Sequence, residues 1–192
     1  LIGSLCGILA AVVMGIVFGV MYYNFDANPI IISIALNYGA WALTTQLLVS
    51  VFNVRGKFFS PKIISYKAIQ LPFLDKIPLI DTIFNNKIAL AYFAYLFIIL
   101  AYIVMYRTTY GLRLRGVGMN PLAAQTTGIN LSFMKWSSLL IMSEACGLAG
   151  SYLPLSGISQ FSENMTAGRG GMCFAAVLVG QGNPLKSGLI AL

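Results

Sequence analysis

The sequence predicts an all-α, polytopic transmembrane protein, and three observations carry that prediction. Of 192 residues, 58% are hydrophobic and only 9% are charged, whereas a soluble domain carries roughly a quarter charged residues. The mean hydropathy is +0.83. So few charges cannot dress a water-facing surface, and much of the surface must therefore face lipid. No stretch of soluble composition interrupts the chain, which reads as one transmembrane domain over residues 1–192. Leu1 and Leu192 both lie inside apolar runs, as in an internal piece of a longer protein. The first run lacks the basic flank and cleavage site of a signal peptide.

A bilayer core of about 30 Å takes about 20 apolar residues as a helix. Leu1 to Tyr23 carries no charge and fills one span. Asn24-Phe25-Asp26-Ala27-Asn28-Pro29 supplies residues that end one helix and start another. Residues 30–54 form a second uncharged stretch. Arg55 to Lys87 is a long connection with six basic residues, two acidic residues and three prolines. Within it, Tyr66 to Ile69 and Ile77 to Ile80 suggest short amphipathic pieces lying on the membrane. Residues 88–106 make a third span, rich in the Tyr and Phe that suit the lipid interface.

A polar connection, 107–130, leads to a fourth span at 131–153. There Ser143, Gly147 and Ser151 recur every four residues, a spacing that lets helix backbones approach closely. A Gly-, Ser- and Asn-rich stretch follows Pro154. Met172 to Gly180 is apolar but only nine residues long, about 14 Å as a helix. Gln181-Gly182-Asn183-Pro184 breaks it before Leu185 resumes, so residues 172–192 read as a broken fifth span. Half-length segments of this kind occur where irregular backbone lines a cavity within the membrane, and an ordinary loop between helices is the other reading.

The charge pattern narrows the function classes. Net charge is +7, but the twelve Lys and Arg sit between apolar runs rather than in a basic arm. They read as helix flanks touching the headgroups of the lipid bilayer, with no nucleic acid implied. Histidine is absent, which removes the commonest general base and metal ligand and argues against an enzyme. Cys6, Cys146 and Cys173 fall in apolar sequence at unrelated spacings, reading as small buried hydrophobes. Ala175 to Ser187 resembles a strand entering a phosphate-binding loop, but Leu185 stands where that loop needs a glycine before the lysine. ATP binding by this chain is therefore not expected, and no cofactor or metal is.

The most informative segment is the connection 107–130. Asn120 suits a helix N-cap, Pro121 the first helical position, and Gly128 a left-handed C-terminal cap. Together they predict a two-turn helix from Pro121 to Thr127, about 10 Å long. A helix so short is unstable alone in water, so one delimited this sharply is expected to dock on something. The plainer alternative is an interfacial turn.

The run Thr109-Tyr110-Gly111-Leu112-Arg113-Leu114-Arg115-Gly116-Val117-Gly118-Met119-Asn120-Pro121-Leu122-Ala123-Ala124, followed by Gly128-Ile129, carries a resemblance. It is similar to the cytoplasmic loop of ABC-type permeases that import simple sugars, nucleosides and branched-chain amino acids. A second block agrees: Phe161, Asn164-Met165-Thr166-Ala167-Gly168-Arg169-Gly170, Ala175-Ala176-Val177, Gly180 and Asn183-Pro184-Leu185. That block resembles the nucleoside and simple-sugar branch in particular. Ile34-Ala35-Leu36-Asn37-Tyr38 is a weaker third match.

The resemblance implies a non-catalytic, multi-pass permease subunit in the cell membrane. It implies two ATP-binding ABC subunits, a second permease subunit of the same or another kind, and an extracytoplasmic substrate-binding lipoprotein. The short helix becomes a coupling helix seated in a groove of the ATP-hydrolysing subunit, with Arg113, Arg115, Gly118, Asn120, Pro121, Ala123, Ala124 and Gly128 as its coupling residues. Arg113 and Arg115 become cytoplasmic, while Lys62 and Lys67 face outward. A count of basic residues taken alone favours the opposite orientation, because the 55–87 connection holds more of them.

Expected substrates are a nucleoside first, a simple sugar next and a branched-chain amino acid third. Candidates for the translocation path are Asn37, Glu144, Phe161, Asn164, Thr166 and Arg169. Phe161 can stack on a flat base, whereas Arg169 with Glu163 can supply the paired charges a zwitterionic amino acid needs. Glu144 departs from the family pattern, as do Gly171 and Cys173. An acid in mid-span is costly and so a functional candidate, lining a path on a stripe with Ser137 and Ser151. A structural carboxyl is the alternative, and an ion-coupled secondary transporter using Glu144 is the rival function. Asn37, Thr44, Thr45 and Gln46 pose the same choice between substrate contact and hydrogen bonding across helices.

Overall fold

Where water is absent, every backbone N–H and C=O must be paired within its own segment, and the uncharged runs accordingly become helices. The computed structural model describes residues 2–54, 56–59, 68–69, 87–155 and 160–191. The helices are α1 (Ile2–Tyr23), α2 (Pro29–Phe52), α3 (Ala89–Arg107), α4 (Thr109–Met119), α5 (Pro121–Thr126), α6 (Leu131–Leu155), α7 (Arg169–Val179) and α8 (Pro184–Ala191). The strands are β1 (Lys57–Phe59), β2 (Ala68–Ile69), β3 (Lys87–Ile88) and β4 (Gln160–Ser162). The all-helical reading holds, with two small antiparallel pairs, β1 with β4 and β2 with β3, added. Of the two amphipathic pieces expected in the long connection, Ala68 and Ile69 are extended, and Tyr66–Lys67 and Ile77 to Ile80 lie outside the described residues, as do Lys62 and Arg55.

By length and apolarity α1 and α2 can each cross a membrane, and α3 with α4 can do so as a pair bent by 75°. The 25 residues of α6 span about 37 Å, although Lys135 and Glu144 lower its hydropathy. The chain divides into two compact units, Leu1–Ile64 with Asn130–Ala167 and Ser65–Ile129 with Gly168–Leu192.

In the first unit α1 and α6 run antiparallel along a seam of small residues. Gly7 faces Ser151 and Gly147, Gly15 faces Ser143, and Gly19 faces Leu139 and Trp136. A Cβ on Gly147 would come within 2.7 Å of the Ile8 Cα, so the two backbones nearly touch. Ser143 and Ser151 are buried there, and the Ser143 hydroxyl donates to the Leu139 carbonyl. The apolar side chains Leu5, Leu9, Val13 and Val17 point away from the seam. Between membrane helices association rests on close packing rather than hydrophobic burial, which puts small residues inside and large ones outside. The four-residue series on α6 therefore packs as its spacing predicts, and Gly7, Ala11, Gly15 and Gly19 supply the matching series on α1.

The Asn28 side chain caps α2 by accepting from the Ile30 N–H, with Pro29 at the first helical position. Asn53, in the left-handed region at φ 52°, ends it. At that end β1 pairs with β4, and Glu163 fastens the pair: its carboxylate accepts the Gly56 N–H at 3.0 Å while its own N–H donates to the Gly56 carbonyl.

In the second unit α7 and α8 form a tight hairpin. Gly180 lies against the Ser187 backbone, where a side chain would not fit, and Gly188 lies against Ile98 of α3. The turn uses Gln181 and Gly182 at positive φ, and the Asn183 side chain accepts from the Leu185 N–H. α7 begins at Arg169, three residues before the expected start, because Gly170 and Gly171 are taken into its first turn.

The cysteines correct an expectation. All three are exposed and none is in a disulfide. Apolar sequence marks a face that meets lipid or another chain as readily as one that meets the protein's own core.

Candidate functional site

Polar side chains on an apolar helix matter where the fold gathers them. In the first unit α2, the end of α6, β4 and the turn after it line a cavity of about 200 Å³. Asn37, Trp41 and Thr44 line it from successive turns of α2, Gly150 and Pro154 from α6, and Phe161, Asn164 and Thr166 from the segment beyond. Pro154 has no N–H, so the Gly150 carbonyl loses the donor that would close its helical hydrogen bond, and both residues face the cavity. Asn164 and Ala167 sit in the left-handed region, φ 53° and 43°, and the Ala167 N–H donates to the Asn164 carbonyl. That tight turn holds Asn164 and Thr166 at the cavity wall. Among the described residues, none of those lining the cavity is charged.

The fold thus brings Asn37, Phe161, Asn164 and Thr166 together. Glu144 is not among the lining residues; it lies exposed on α6, next to buried Ser143. Of its expected stripe, Ser151 is buried on the α1 seam rather than directed to a path. Glu163 spends its carboxylate on Gly56. Arg169, in the second unit, is the exposed first residue of α7, preceded by Gly168 at φ 74°, which supplies no side-chain cap. Thr44 hydrogen-bonds its own helix at the Ala40 and Trp41 carbonyls. Trp41 was not foreseen as a wall, although its place one helical turn after Asn37 puts both on one face.

The second unit holds residues 107–129, most of the segment in which a coupling helix is expected. The expected polar connection is largely helical, because Thr108 caps α4: its hydroxyl accepts the Gly111 N–H at 3.2 Å and donates to the Val104 carbonyl at 2.6 Å. The bend between α3 and α4 falls at this residue. Gly111 is buried in the elbow, where a Cβ would strike the Val104 and Met105 carbonyls and the Met105 Cα. Arg115 reaches back so that its guanidinium lies over the Tyr106 ring, and its buried Nε has no hydrogen-bond partner among the described residues.

Asn120 ends α4 and begins α5. Its N–H donates to the Gly116 carbonyl, and its side chain accepts from the Ala123 N–H at 3.1 Å. Pro121 occupies the first position, as expected, and α5 stops at Thr126, one residue short of the expected end. Gly128, at φ 81°, is the left-handed residue beyond it. The Gly128 N–H donates to Gln125 and the Ile129 N–H to Ala124, the paired closure that a left-handed residue permits. Ala123 is exposed whereas Ala124 is buried within its own unit. Leu112 and Met119 of α4 and Leu122 of α5 are exposed as well, at 64%, 88% and 75%. Arg113 and Gly118 are exposed too. Among the described residues no group of His, Cys, Asp and Glu is placed to hold a metal ion.

The family described as branched-chain amino acid transport system, permease component, matches residues 1–192. The chain is 34% identical over 189 residues to the nucleoside ABC transporter permease protein NupC of Lactococcus lactis, covering 98% of this chain and 59% of that protein. It is 29% identical over 187 residues to the guanosine ABC transporter permease protein NupQ of Bacillus subtilis, covering 93% and 57%. A putative glucose ABC transporter permease protein of Haloferax volcanii is 29% identical over 114 residues, 59% of this chain and 35% of that one. The chain thus spans somewhat more than half the length of the first two. No solved structure matches it.

Proposed function

The chain belongs to the family of permease components of branched-chain amino acid transport systems, and from that premise we propose that it forms part of the membrane-spanning subunit of an ABC importer for a nucleoside or a simple sugar. It performs no bond chemistry. ATP is bound and hydrolysed by separate subunits, a second permease completes the pathway, and an extracytoplasmic lipoprotein delivers the substrate.

The observation that carries the substrate class is the cavity, whose lining among the described residues is uncharged. Its walls offer two aromatic faces, Trp41 and Phe161, with the amides and hydroxyls of Asn37, Asn164 and Thr166 beside them. A flat base stacks on aromatic rings, and neutral hydroxyls pair with amides. A zwitterionic amino acid needs two opposite charges, and burying them unpaired is costly. The carboxylate that was the candidate for that task, Glu163, is already engaged by Gly56. The likeness to a nucleoside and a guanosine permease points the same way. The exposed apolar residues of α4 and α5, Leu112, Met119 and Leu122, suit a groove in the ATP-hydrolysing subunit.

The test is uptake by the complete, reconstituted transporter. ATP-dependent uptake of guanosine, inhibited by adenosine or ribose and not by leucine, is expected. Leucine uptake without competition from any nucleoside or sugar would overturn the substrate class. Uptake that needs no ATP and collapses with a protonophore would favour the ion-coupled reading through Glu144.

A further inference from the structure

A second cavity, of about 320 Å³, opens at the opposite end of the α1–α6 pair from β1 and β4. Tyr22 and Tyr23 from the end of α1, Asp26 from the following loop, and Ser132, Lys135 and Trp136 from the start of α6 line it. The aromatic side chains form a continuous wall. Tyr22 and Tyr23 rings lie 4.9 Å apart, and Tyr23 meets Trp136 edge-on at 5.5 Å. The Tyr23 hydroxyl donates to the Lys135 carbonyl, and the Lys135 ammonium lies 5.6 Å from the centre of the Tyr23 ring. Asp26 is held by a left-handed backbone, φ 48°. Among the described residues Asp26 and Lys135 form no ion pair, although both face the same cavity.

We propose that this cavity binds the headgroup of a zwitterionic phospholipid, with the phosphate on Lys135 and the ammonium on Asp26. The cavity carries one positive and one negative side chain, so its walls favour a dipolar group over a net anion. Lys135 and the Ser132 hydroxyl supply donors to phosphate oxygens, and the start of α6, which has no acidic residue in its first turn, adds the favourable end of the helix dipole. The Asp26 carboxylate and the face of Tyr22 suit an ammonium. Position selects lipid over a free metabolite. The site lies where an apolar span ends in two tyrosines, and Tyr and Trp concentrate at the level of the headgroups.

The experiment is native mass spectrometry of the full-length protein, delipidated in detergent and titrated with phosphatidylethanolamine, phosphatidylglycerol and inorganic phosphate. One phosphatidylethanolamine is expected to be retained at least tenfold more tightly than phosphatidylglycerol. Lys135→Gln and Asp26→Asn should each weaken it about tenfold, and thermal unfolding in lipid-free detergent should stay the same. Equal retention of phosphatidylglycerol, or no effect of Asp26→Asn, overturns the zwitterion. Displacement of the lipid by inorganic phosphate at similar concentration overturns the assignment to a membrane lipid.

Discussion

The guanidinium of Arg115 lies 4.7 Å from the centre of the Tyr106 ring, so the helix that leaves the elbow is tied back to the one that enters it. That tie forms only because Gly111 lets α4 fold over the end of α3. Gly111→Ala sets a methyl group against three backbone atoms, none of which can rotate away. Overpacking of that kind costs about 1–3 kcal/mol. The variant should insert normally but melt earlier and lose most ATP-dependent uptake. Wild-type melting and uptake would disprove the elbow's role.

The two alanines of α5 should separate stability from docking. Ala123→Glu adds a charge to an exposed position and should leave thermal unfolding unchanged while co-purification with the ATP-binding subunits fails. Ala124→Glu buries a carboxylate where 6% of the residue is exposed, so destabilisation by several kcal/mol is expected. Thermal unfolding and pull-down on the same preparations read both effects.

For the first cavity the expected change is in substrate affinity. Loss of a stacked aromatic costs about 1–3 kcal/mol per base. Trp41→Ala and Phe161→Ala should therefore raise the half-saturating guanosine concentration roughly tenfold or more, and Phe161→Tyr should not. Uptake kinetics at saturating ATP provide the measurement.

At the α1–α6 seam, Gly15→Leu must push the backbones apart at Ser143, and a loss of about 1–3 kcal/mol or more is expected from overpacking. Gly3→Leu, on the same helix but with nothing within 4 Å of its Cβ, should be neutral. Unfolding in a graded denaturing detergent compares the two directly.

Orientation can be read by labelling. In a background without Cys6, Cys146 and Cys173, an impermeant thiol reagent applied to intact cells should modify Lys57→Cys and spare Arg113→Cys. Both positions are exposed. Labelling of Arg113→Cys alone would invert the assignment.

The parts of the fold that were legible in the sequence are those fixed by local chemistry. Asn120, Pro121 and Gly128 mark the limits of α5 because each residue type suits one backbone position. The limits of α1 and α3 follow from where charge and turn residues begin. α4 was harder to read: three glycines and two arginines among its 11 residues hide any helical period, and Thr108 and Gly111 secure the helix through packing on α3. The cavity was legible in part. Asn37 stands out as a polar residue in an apolar span, and Phe161, Asn164 and Thr166 belong to the block that carries the resemblance, whereas Trp41 looks like ordinary lipid-facing bulk until α2 places it beside them. Neither half of the α1–α6 seam identifies its partner, because four-residue spacing specifies a close approach without specifying to what.

Asn120 serves as the last residue of one helix and the first of the next, and this dual duty constrains how the segment can change over generations. A residue inserted on either side would rotate α5 by about 100° relative to α4 and turn Ala123 away from its present face. Side chains here can drift, but length cannot. Among related chains, substitutions should accumulate freely at exposed positions such as Gln125 and Thr126, while the spacing from Thr108 through Asn120 to Gly128 stays constant.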